Sequence, residues 1–175
     1  MKKQKGFSLI ELLIVVAIIL IIAAIAIPNL LRSKIAANES SAVGSIRTIG
    51  TAEVTYSSSW GTGYAADLAS LGGAATPCVA AAANACLIDS LLSVAPFTKS
   101  GYVFNAAGTY ASNGVNNGFE VNATPSAVGT TGQRAFCDDQ TGVIRFNVNG
   151  GAIGVAQDSC AKIATVAGQS GPVGN

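Results

Sequence analysis

Glu11 stands out in this sequence because it is an acidic side chain inside an apolar run. The polar side chains in residues 7–27 are Ser8 and Glu11. As a helix, residues 7–27 would reach about 30 Å, the thickness of a bilayer hydrocarbon core. A carboxylate there costs about 3 kcal/mol to insert, so a residue of this kind commonly has a function. The chemistry open to Glu11 is charge pairing with a group from outside the run, because residues 7–31 contain no Lys or Arg.

A short basic leader precedes the apolar run. Residues 1–6 contain three lysines and end in Gly6. They are too short to hold the basic region and the separate apolar region of an ordinary secretory signal, whose small-residue cleavage site also follows the apolar core. Cleavage after Gly6 would leave the whole apolar helix on the mature protein. The alternative interpretation of Glu11 is that it snorkels to the membrane interface from the first turns of this helix.

The arrangement Lys-Gly-Phe-Ser-Leu-Ile-Glu-Leu-Leu-Ile-Val-Val-Ala-Ile-Ile, with Pro28 after it, resembles the class III leader and N-terminal helix of type IV pilins and type II secretion pseudopilins. The resemblance covers about residues 1–60. It implies that a prepilin peptidase cuts after Gly6 and that Phe7 is then N-methylated. It also implies that Glu11 pairs with the α-amino group of a neighbouring subunit, and that Pro28 kinks the helix or marks where it melts in the filament.

Electrostatics independently supports this role for Glu11. The new α-amine of Phe7 would be the missing cation, since an ammonium beside a carboxylate reduces the cost of burying both charges. Phe7 and Glu11 are about one helical turn apart, so the spacing also permits an intrachain contact. A neighbour displaced along the filament axis would satisfy both groups and fix the register of the subunits.

Composition suits a small exported domain on a helical stalk. Removal of residues 1–6 leaves 169 of the 175 residues, and the ten basic and nine acidic side chains become seven and nine. No basic field remains for general nucleic-acid binding. The charged fraction of 11% is low, and small residues dominate the surface instead. The leader lysines place the N-terminus in the cytoplasm by the positive-inside tendency.

The cysteines agree with export. There are four of them, with no Cys-x-x-Cys pattern and no His in the chain, so disulfides are favoured over a zinc site. Four cysteines allow three connectivities. We favour Cys78 with Cys86 and Cys137 with Cys160, because each pair closes a local loop. The alternative is that one or more of them are free buried thiols.

The elements that position these residues are a long helix and an antiparallel sheet. Ile35, Ala42, Ile46 and Ile49 form an apolar stripe at helical spacing, and the helix is expected to end near residues 56–60. Hydrophobic and polar residues then alternate at a period of two from Gly101 onward, which predicts strands that the amphipathic half of the helix covers. The predicted fold is therefore α+β and pilin-like. Its predicted divisions are a cleaved leader (1–6), a transmembrane assembly helix (7–28), an amphipathic helix half (29–60) and a globular head (61–175).

Several details of the head are also predicted from the sequence. Turns are expected at residues 113–118 and 138–142, a strand at residues 143–148, and a loose or edge position for the tail after Ile163. Leu87, Ile88, Leu91 and Leu92 are expected to form a short helix that docks on the core.

The acidic residues of the head carry three further expectations. Glu53 falls on the extrapolated helix stripe and is expected near a domain edge or paired with Arg134 or Arg145. Asp138, Asp139 and Asp158 offer the oxygen ligands that calcium prefers, but their spacing matches no calcium motif, and a solvated turn is expected. No metal or cofactor site is predicted.

Two classes of function follow from these features. In the first, the chain is a structural subunit that polymerises through its helix into a type IV pilus, or into the filament of a type II secretion system as its major pseudopilin. In the second, it is a minor pilin whose loops act as a binding module. An enzyme is disfavoured, because the chain has no His base for a Ser or Cys nucleophile and no phosphate-binding glycine loop. The expected partners are copies of the same chain, the prepilin peptidase and an inner-membrane assembly platform. The expected location is the inner membrane, then an extracellular filament, or the periplasm for a pseudopilin.

Overall fold

The computed structural model describes residues 7–73, 77–166 and 168–173. Over these residues the fold is α+β, as predicted. Its elements in chain order are α1 (Leu9–Trp60), α2 (Leu68–Leu71), α3 (Ser90–Ser93), β1 (Thr98–Lys99), β2 (Tyr102–Ser112), β3 (Val115–Pro125), β4 (Ala135–Asp139), β5 (Arg145–Asn147) and β6 (Ser170–Pro172). The chain divides after Lys34 into two compact units, and each is described by itself.

The first unit contains the apolar half of α1. By length and composition, α1 near the N-terminus is able to cross a membrane. Its Leu, Ile and Val side chains in this half are exposed, because the unit has no core of its own into which they could pack. Pro28 lies inside α1 and does not end it. Proline has no N–H, so the helix lacks one backbone hydrogen bond at this point.

The second unit begins with the amphipathic half of α1. The helix ends at Trp60, within the predicted range. Its buried apolar residues recur at spacings of three and four, as an apolar helix face requires: Ala42, Ile46, Ile49, Ala52 and Tyr56. The predicted stripe is confirmed at Ala42, Ile46 and Ile49, whereas Ile35 is half-buried.

The six strands form one antiparallel sheet whose spatial order follows the sequence order. Strands β2 and β3 make a hairpin in which Ser112 faces Val115, so its turn is Asn113-Gly114. Both turn residues have positive φ, 51° and 78°, as a two-residue type I′ hairpin turn requires. The predicted turn at residues 113–118 is therefore too long, because residues 115–118 belong to β3.

The rest of the sheet differs from the prediction mainly in the extent of the strands. β5 covers Arg145–Asn147 rather than residues 143–148. The predicted turn at residues 138–142 begins later, because Asp138 and Asp139 are the last residues of β4 and pair with β3. The tail after Ile163 returns as β6 at the edge of the sheet, next to β5.

The sheet carries apolar residues on both faces. On one face, large side chains of β2, β3 and β4 pack with the buried stripe of α1: Tyr102, Phe104, Phe119, Val121 and Phe136. On the other, Ala135 and Cys137 pack with Ile153, Cys160 and Ile163 from the loop between β5 and β6. The sheet is therefore sandwiched between α1 and this loop.

The predicted short helix is present as α3, but it begins only at Ser90, so Leu87 and Ile88 precede it; Asp89 is its N-cap. The Asp89 carboxylate accepts hydrogen bonds from the amides of Leu91 and Leu92, which would otherwise be unsatisfied at the helix start. Leu92 and Ile88 are buried, whereas Leu91 is exposed. The docking of this segment on the core is thus confirmed for Leu92 and Ile88, and wrong for Leu91.

Candidate assembly site

The candidate site is the first turn of α1, around Glu11. The backbone N–H of Ser8 donates a hydrogen bond to Glu11 Oε2, with the two atoms 3.4 Å apart. The amide of Leu12 donates to the carbonyl oxygen of Ser8 at 3.2 Å, which closes the first helical turn. Within the part of the chain that the structure describes, no Lys or Arg makes an ion pair with Glu11.

This geometry is one half of a capping box. Ser8 precedes the first helical residue and Glu11 is the third residue of the helix. In a capping box the side chain at this third position reaches back to the amide of the cap residue. A carboxylate at a helix N-terminus is further favoured by the helix dipole. The pattern Ser-x-x-Glu is visible in the sequence, and our sequence analysis missed it.

The remaining residues predicted for this site are placed as follows. Gly6, on the leader side of the predicted cut, lies outside the described residues. Phe7 is 84% exposed. Pro28 lies inside the same helix but several turns after Glu11. Its predicted role in kinking or melting the helix is therefore separate from the role of Glu11.

The surface of α1 next to Glu11 is a shallow apolar groove. It is formed by aliphatic side chains on consecutive turns: Leu9, Leu12, Leu13, Val16, Ala17 and Leu20. Such a groove can receive ridges of side chains from another helix. This part of α1 can therefore pack against another apolar helix and pair its one carboxylate with a cation.

Both predicted disulfides are present in the head. Cys78 is bonded to Cys86, and Cys137 to Cys160. The two bonds differ in environment, because Cys78 is exposed whereas Cys137 and Cys160 are completely buried. The second bond fastens the loop between β5 and β6 to the outer face of β4.

The prediction for Glu53 is partly wrong. The residue lies on the helix stripe, but it is buried in the core rather than at an edge, and neither Arg134 nor Arg145 contacts it. Instead, the backbone amide of Ala65 donates to Glu53 Oε2 at 2.8 Å. The sequence could not show this partner, because every non-proline residue between α1 and α2 carries the same backbone amide.

The partner of Arg134 is Glu39, which our sequence analysis did not identify. The Arg134 side chain donates to Glu39 Oε2 from Nε at 2.9 Å and from Nη2 at 2.7 Å. The backbone amides of Gln133 and Arg134 both donate to Glu39 Oε1 at 3.0 Å. Burial favours a raised pKa for the Glu39 carboxyl, but these hydrogen bonds and the guanidinium charge outweigh burial and lower it. Glu39 thereby joins α1 to the start of β4.

The expectation of a solvated turn at Asp138 and Asp139 is wrong, because both side chains are buried in β4. Burial raises the pKa of Asp138 to about 6, since the amide of Asp139 and the nearby arginines compensate only in part. Asp158 is half-buried and accepts a hydrogen bond from the hydroxyl of Tyr110. Within residues 7–73, 77–166 and 168–173, no cluster of three or more potential ligands is arranged to hold a metal ion.

Comparisons with known proteins agree with the geometry of α1. A model of the prokaryotic N-terminal methylation motif matches residues 1–27. The chain is 62% identical over 39 residues to the type IV wide pilus major component PilA4 of Thermus thermophilus, which covers 22% of this chain and 30% of that protein. It is 45% identical over 54 residues to the type IV major pilin protein PilA of Myxococcus xanthus, which covers 31% of this chain and 24% of that protein.

These matches support the type IV pilin family, as the sequence resemblance predicted. They span less than a third of the length of either curated relative. No solved structure matches the chain. One relative is named as a major component of a wide pilus and the other as a major pilin.

Proposed function

We propose that this chain is a structural subunit of a type IV pilus or pilus-like filament. In this proposal a prepilin peptidase cuts between Gly6 and Phe7, the new terminus of Phe7 is methylated, and the processed chain polymerises through the apolar half of α1. The observation that carries the proposal is a helix of exposed aliphatic side chains with one carboxylate in its first turn. The methylation motif over residues 1–27 supports the same conclusion.

Glu11 would act as the assembly determinant. In the uncut chain its carboxylate is hydrogen-bonded to the amide of Ser8. Cleavage would add an ammonium at Phe7, and Glu11 of one subunit would pair with the ammonium of the next. A carboxylate and an ammonium that both leave water stabilise one another, because either charge alone in an apolar environment is strongly unfavourable. The pairing would therefore fix the axial register of neighbouring helices.

Location and partners follow from this function. The subunit would wait in the inner membrane with its N-terminus in the cytoplasm, and an assembly platform in that membrane would extract it into an extracellular filament. The two disulfides support an exported head, because disulfides persist in oxidising compartments. We assign residues 1–6 to the leader, 7–28 to the membrane and assembly segment, 29–60 to the amphipathic helix half and 61–175 to the head. Pro28 would be the point where α1 kinks or melts in the filament.

The relatives favour a pilus over the alternatives. PilA4 is named as a major component of a wide pilus and PilA as a major pilin. A pseudopilin of a type II secretion system, or a minor pilin that acts as a binding module, shares the same N-terminal features.

The test compares Glu11→Ala and Glu11→Gln with the wild type in cells that assemble filaments. Loss of one partner from a buried ion pair costs about 3–5 kcal/mol, and a filament repeats that loss at every subunit. Both variants should therefore be cut and membrane-resident but give few or no fibres. Sheared filaments are measured by electron microscopy, and the cut by N-terminal mass analysis, which should show methylated Phe7.

The glutamine variant separates charge from hydrogen bonding, since Gln also completes a capping box. Normal fibres from Glu11→Gln would show that the charge is not needed, and the assembly role of Glu11 would be wrong. Gly6→Val is the control for processing, because it should leave the uncut precursor in the membrane. A mature terminus after Ala23 or Ala26 would instead indicate an ordinary signal peptide and would contradict the whole proposal.

A further inference from the structure

The inference concerns Glu53, whose carboxyl group is enclosed within the head. Its side chain is 0% exposed, on the face of α1 that carries Ile49 and Tyr56. Oε2 accepts the hydrogen bond from the amide of Ala65. Oε1 is buried and has no hydrogen-bond partner among the described residues. A carboxylate with one unsatisfied oxygen in such a site is unfavourable, whereas the neutral acid is tolerated.

The segment that contacts the Glu53 carboxyl group is the connection between α1 and α2, residues 61–67, which we call the connecting segment. Its middle is held on one side by the bond from Ala65 to Glu53. On the other side it is held by the β2–β3 hairpin: Asn116 accepts from the amide of Tyr64 at 2.9 Å, and the amide of Gly108 donates to the carbonyl oxygen of Ala66 at 3.2 Å. The segment is thus held beside Glu53 by these hydrogen bonds and by the packing of Ala65 and Tyr64 on the core.

Two glycines at the start of the connecting segment have left-handed backbone conformations. Gly61 and Gly63 have φ of 65° and 79°, a region that glycine enters without strain. The short α2 that follows has its own N-cap in Asp67. The helix α1 and the sheet are anchored by the main core, so opening of the segment requires less free energy than unfolding of the head.

The charged surroundings of Glu53 offer no compensation. Asp67, at the end of the connecting segment, is the charged side chain whose field acts on Glu53, and it is acidic. Within the described ranges, neither α1 nor the β2–β3 hairpin supplies a Lys or Arg that pairs with Glu53. Burial first, and then Asp67, raise the pKa of Glu53 to about 7, although the bond from Ala65 lowers it.

We propose that Glu53 is a proton-controlled latch for the connecting segment: the neutral acid keeps residues 61–67 closed on α1, and ionisation opens them to water. The charged form must be hydrated, and displacement of the segment that bonds this carboxyl group would expose it to water. The proposal concerns the head and does not depend on filament assembly.

The test measures hydrogen exchange by mass spectrometry on the full chain in detergent micelles, at about pH 5.5 and about pH 8.5, after correction for the intrinsic pH dependence of exchange. If the open segment gives Glu53 an ordinary pKa, the protection of residues 61–67 should fall roughly thirtyfold between these pH values. Peptides from β2 and β3 should stay better protected than residues 61–67 at both pH values, because they exchange only through larger openings. In Glu53→Gln, which is similar in shape and does not ionise, residues 61–67 should show no such change.

Two matched variants complete the experiment. Glu120→Gln removes a different buried carboxyl and should leave the change at residues 61–67 intact. Asp67→Asn keeps an N-cap for α2 but removes the negative field, so the midpoint of opening should move to lower pH. This variant also tests the latch should Glu53→Gln fail to fold. An unaltered pH response in Glu53→Gln, a midpoint that rises or stays in Asp67→Asn, or residues 61–67 that are as strongly protected as β2 and β3 at both pH values would overturn the proposal.

Discussion

The Glu39 carboxylate connects α1 to the start of β4, and its removal should destabilise the head strongly. Four donors lose their acceptor in Glu39→Ala: two on the Arg134 side chain and the amides of Gln133 and Arg134. A buried amide left without a partner costs about 1–3 kcal/mol, and these two amides are only partly buried, so each should cost about 1 kcal/mol. The guanidinium contributes less, because the Arg134 side chain is 40% exposed and can be hydrated.

Together these losses predict that Glu39→Ala lowers the free energy of unfolding by about 3 kcal/mol. For a head of this size the melting temperature should fall by roughly 10 °C. Glu39→Gln keeps an acceptor for the two amides but turns an amide N–H₂ towards the guanidinium, so its loss should be smaller, about 1–2 kcal/mol. The guanidinium also packs over the rings of Phe136 and Phe146, with its carbon 5.4 and 5.5 Å from their centroids, and should keep these contacts in both variants.

The assay is thermal unfolding of the full chain in detergent, followed by near-ultraviolet circular dichroism. The matched control is Lys99→Gln, which breaks the pair between Lys99 and Asp89, whose side chains are 31% and 44% exposed. Exposed pairs contribute less than about 1 kcal/mol. A melting temperature for Glu39→Ala no lower than that of Lys99→Gln would refute the assignment of Glu39 as the connection to β4.

The pH dependence of this effect has a definite sign. The pKa of Glu39 lies below its ordinary value of 4.5, so its charged form is stabilised in the folded head. Its contribution is therefore complete above about pH 4.5 and is lost as the pH falls through the folded-state pKa. The difference in stability between wild type and Glu39→Gln should shrink in acid and stay constant from neutral to mildly alkaline pH.

Two further predictions concern a buried carboxyl group and the two disulfides. Burial raises the pKa of Glu120 to about 6, so the stability that its neutral form provides should be lost as the pH rises through 6. In denaturant titrations, Glu120→Gln should remove roughly 1–2 kcal/mol of this pH dependence of stability. A pH profile of stability identical to that of the wild type would contradict the prediction. Under native conditions dithiothreitol should reduce the exposed bond between Cys78 and Cys86 before the buried bond between Cys137 and Cys160. Alkylation and peptide mapping measure the order, and simultaneous reduction would show that the second bond is accessible.

Periodicity and composition were sufficient for the framework of the fold. The stripe through Ala42, Ile46 and Ile49 identified the buried face of α1, because apolar spacing depends only on helical geometry. The alternation from Tyr102 onward identified the strands for the same kind of reason. Disulfide pairing could be chosen among three connectivities because the two local loops are short in sequence.

The polar contacts were harder to predict, because they depend on where distant segments meet. Glu39 and Arg134 are far apart in sequence, and nothing in their local patterns relates them. The sequence predicts Glu53 near a domain edge or paired with a basic group, but it is buried and a backbone amide of the connecting segment donates to it instead. Asp138 and Asp139 have turn-like composition, yet pairing with Val121 and Glu120 extends β4 through them. In each case tertiary contact overrides local preference.

The two halves of α1 differ in whether their apolar side chains are buried within the chain, and this difference supports the proposed assembly through the first half. In the second half the apolar stripe is satisfied by the sheet within the same chain. In the first half the large aliphatic side chains stay exposed, and each would gain about 1.5–3 kcal/mol on leaving water. A bilayer provides that gain before assembly, so transfer from lipid into a bundle of like helices adds little hydrophobic driving force. In the proposed filament, close packing and the pairing of Glu11 with a neighbouring ammonium would then supply the preference for assembly. A single carboxylate at a fixed depth would select one register among the many that aliphatic packing alone allows.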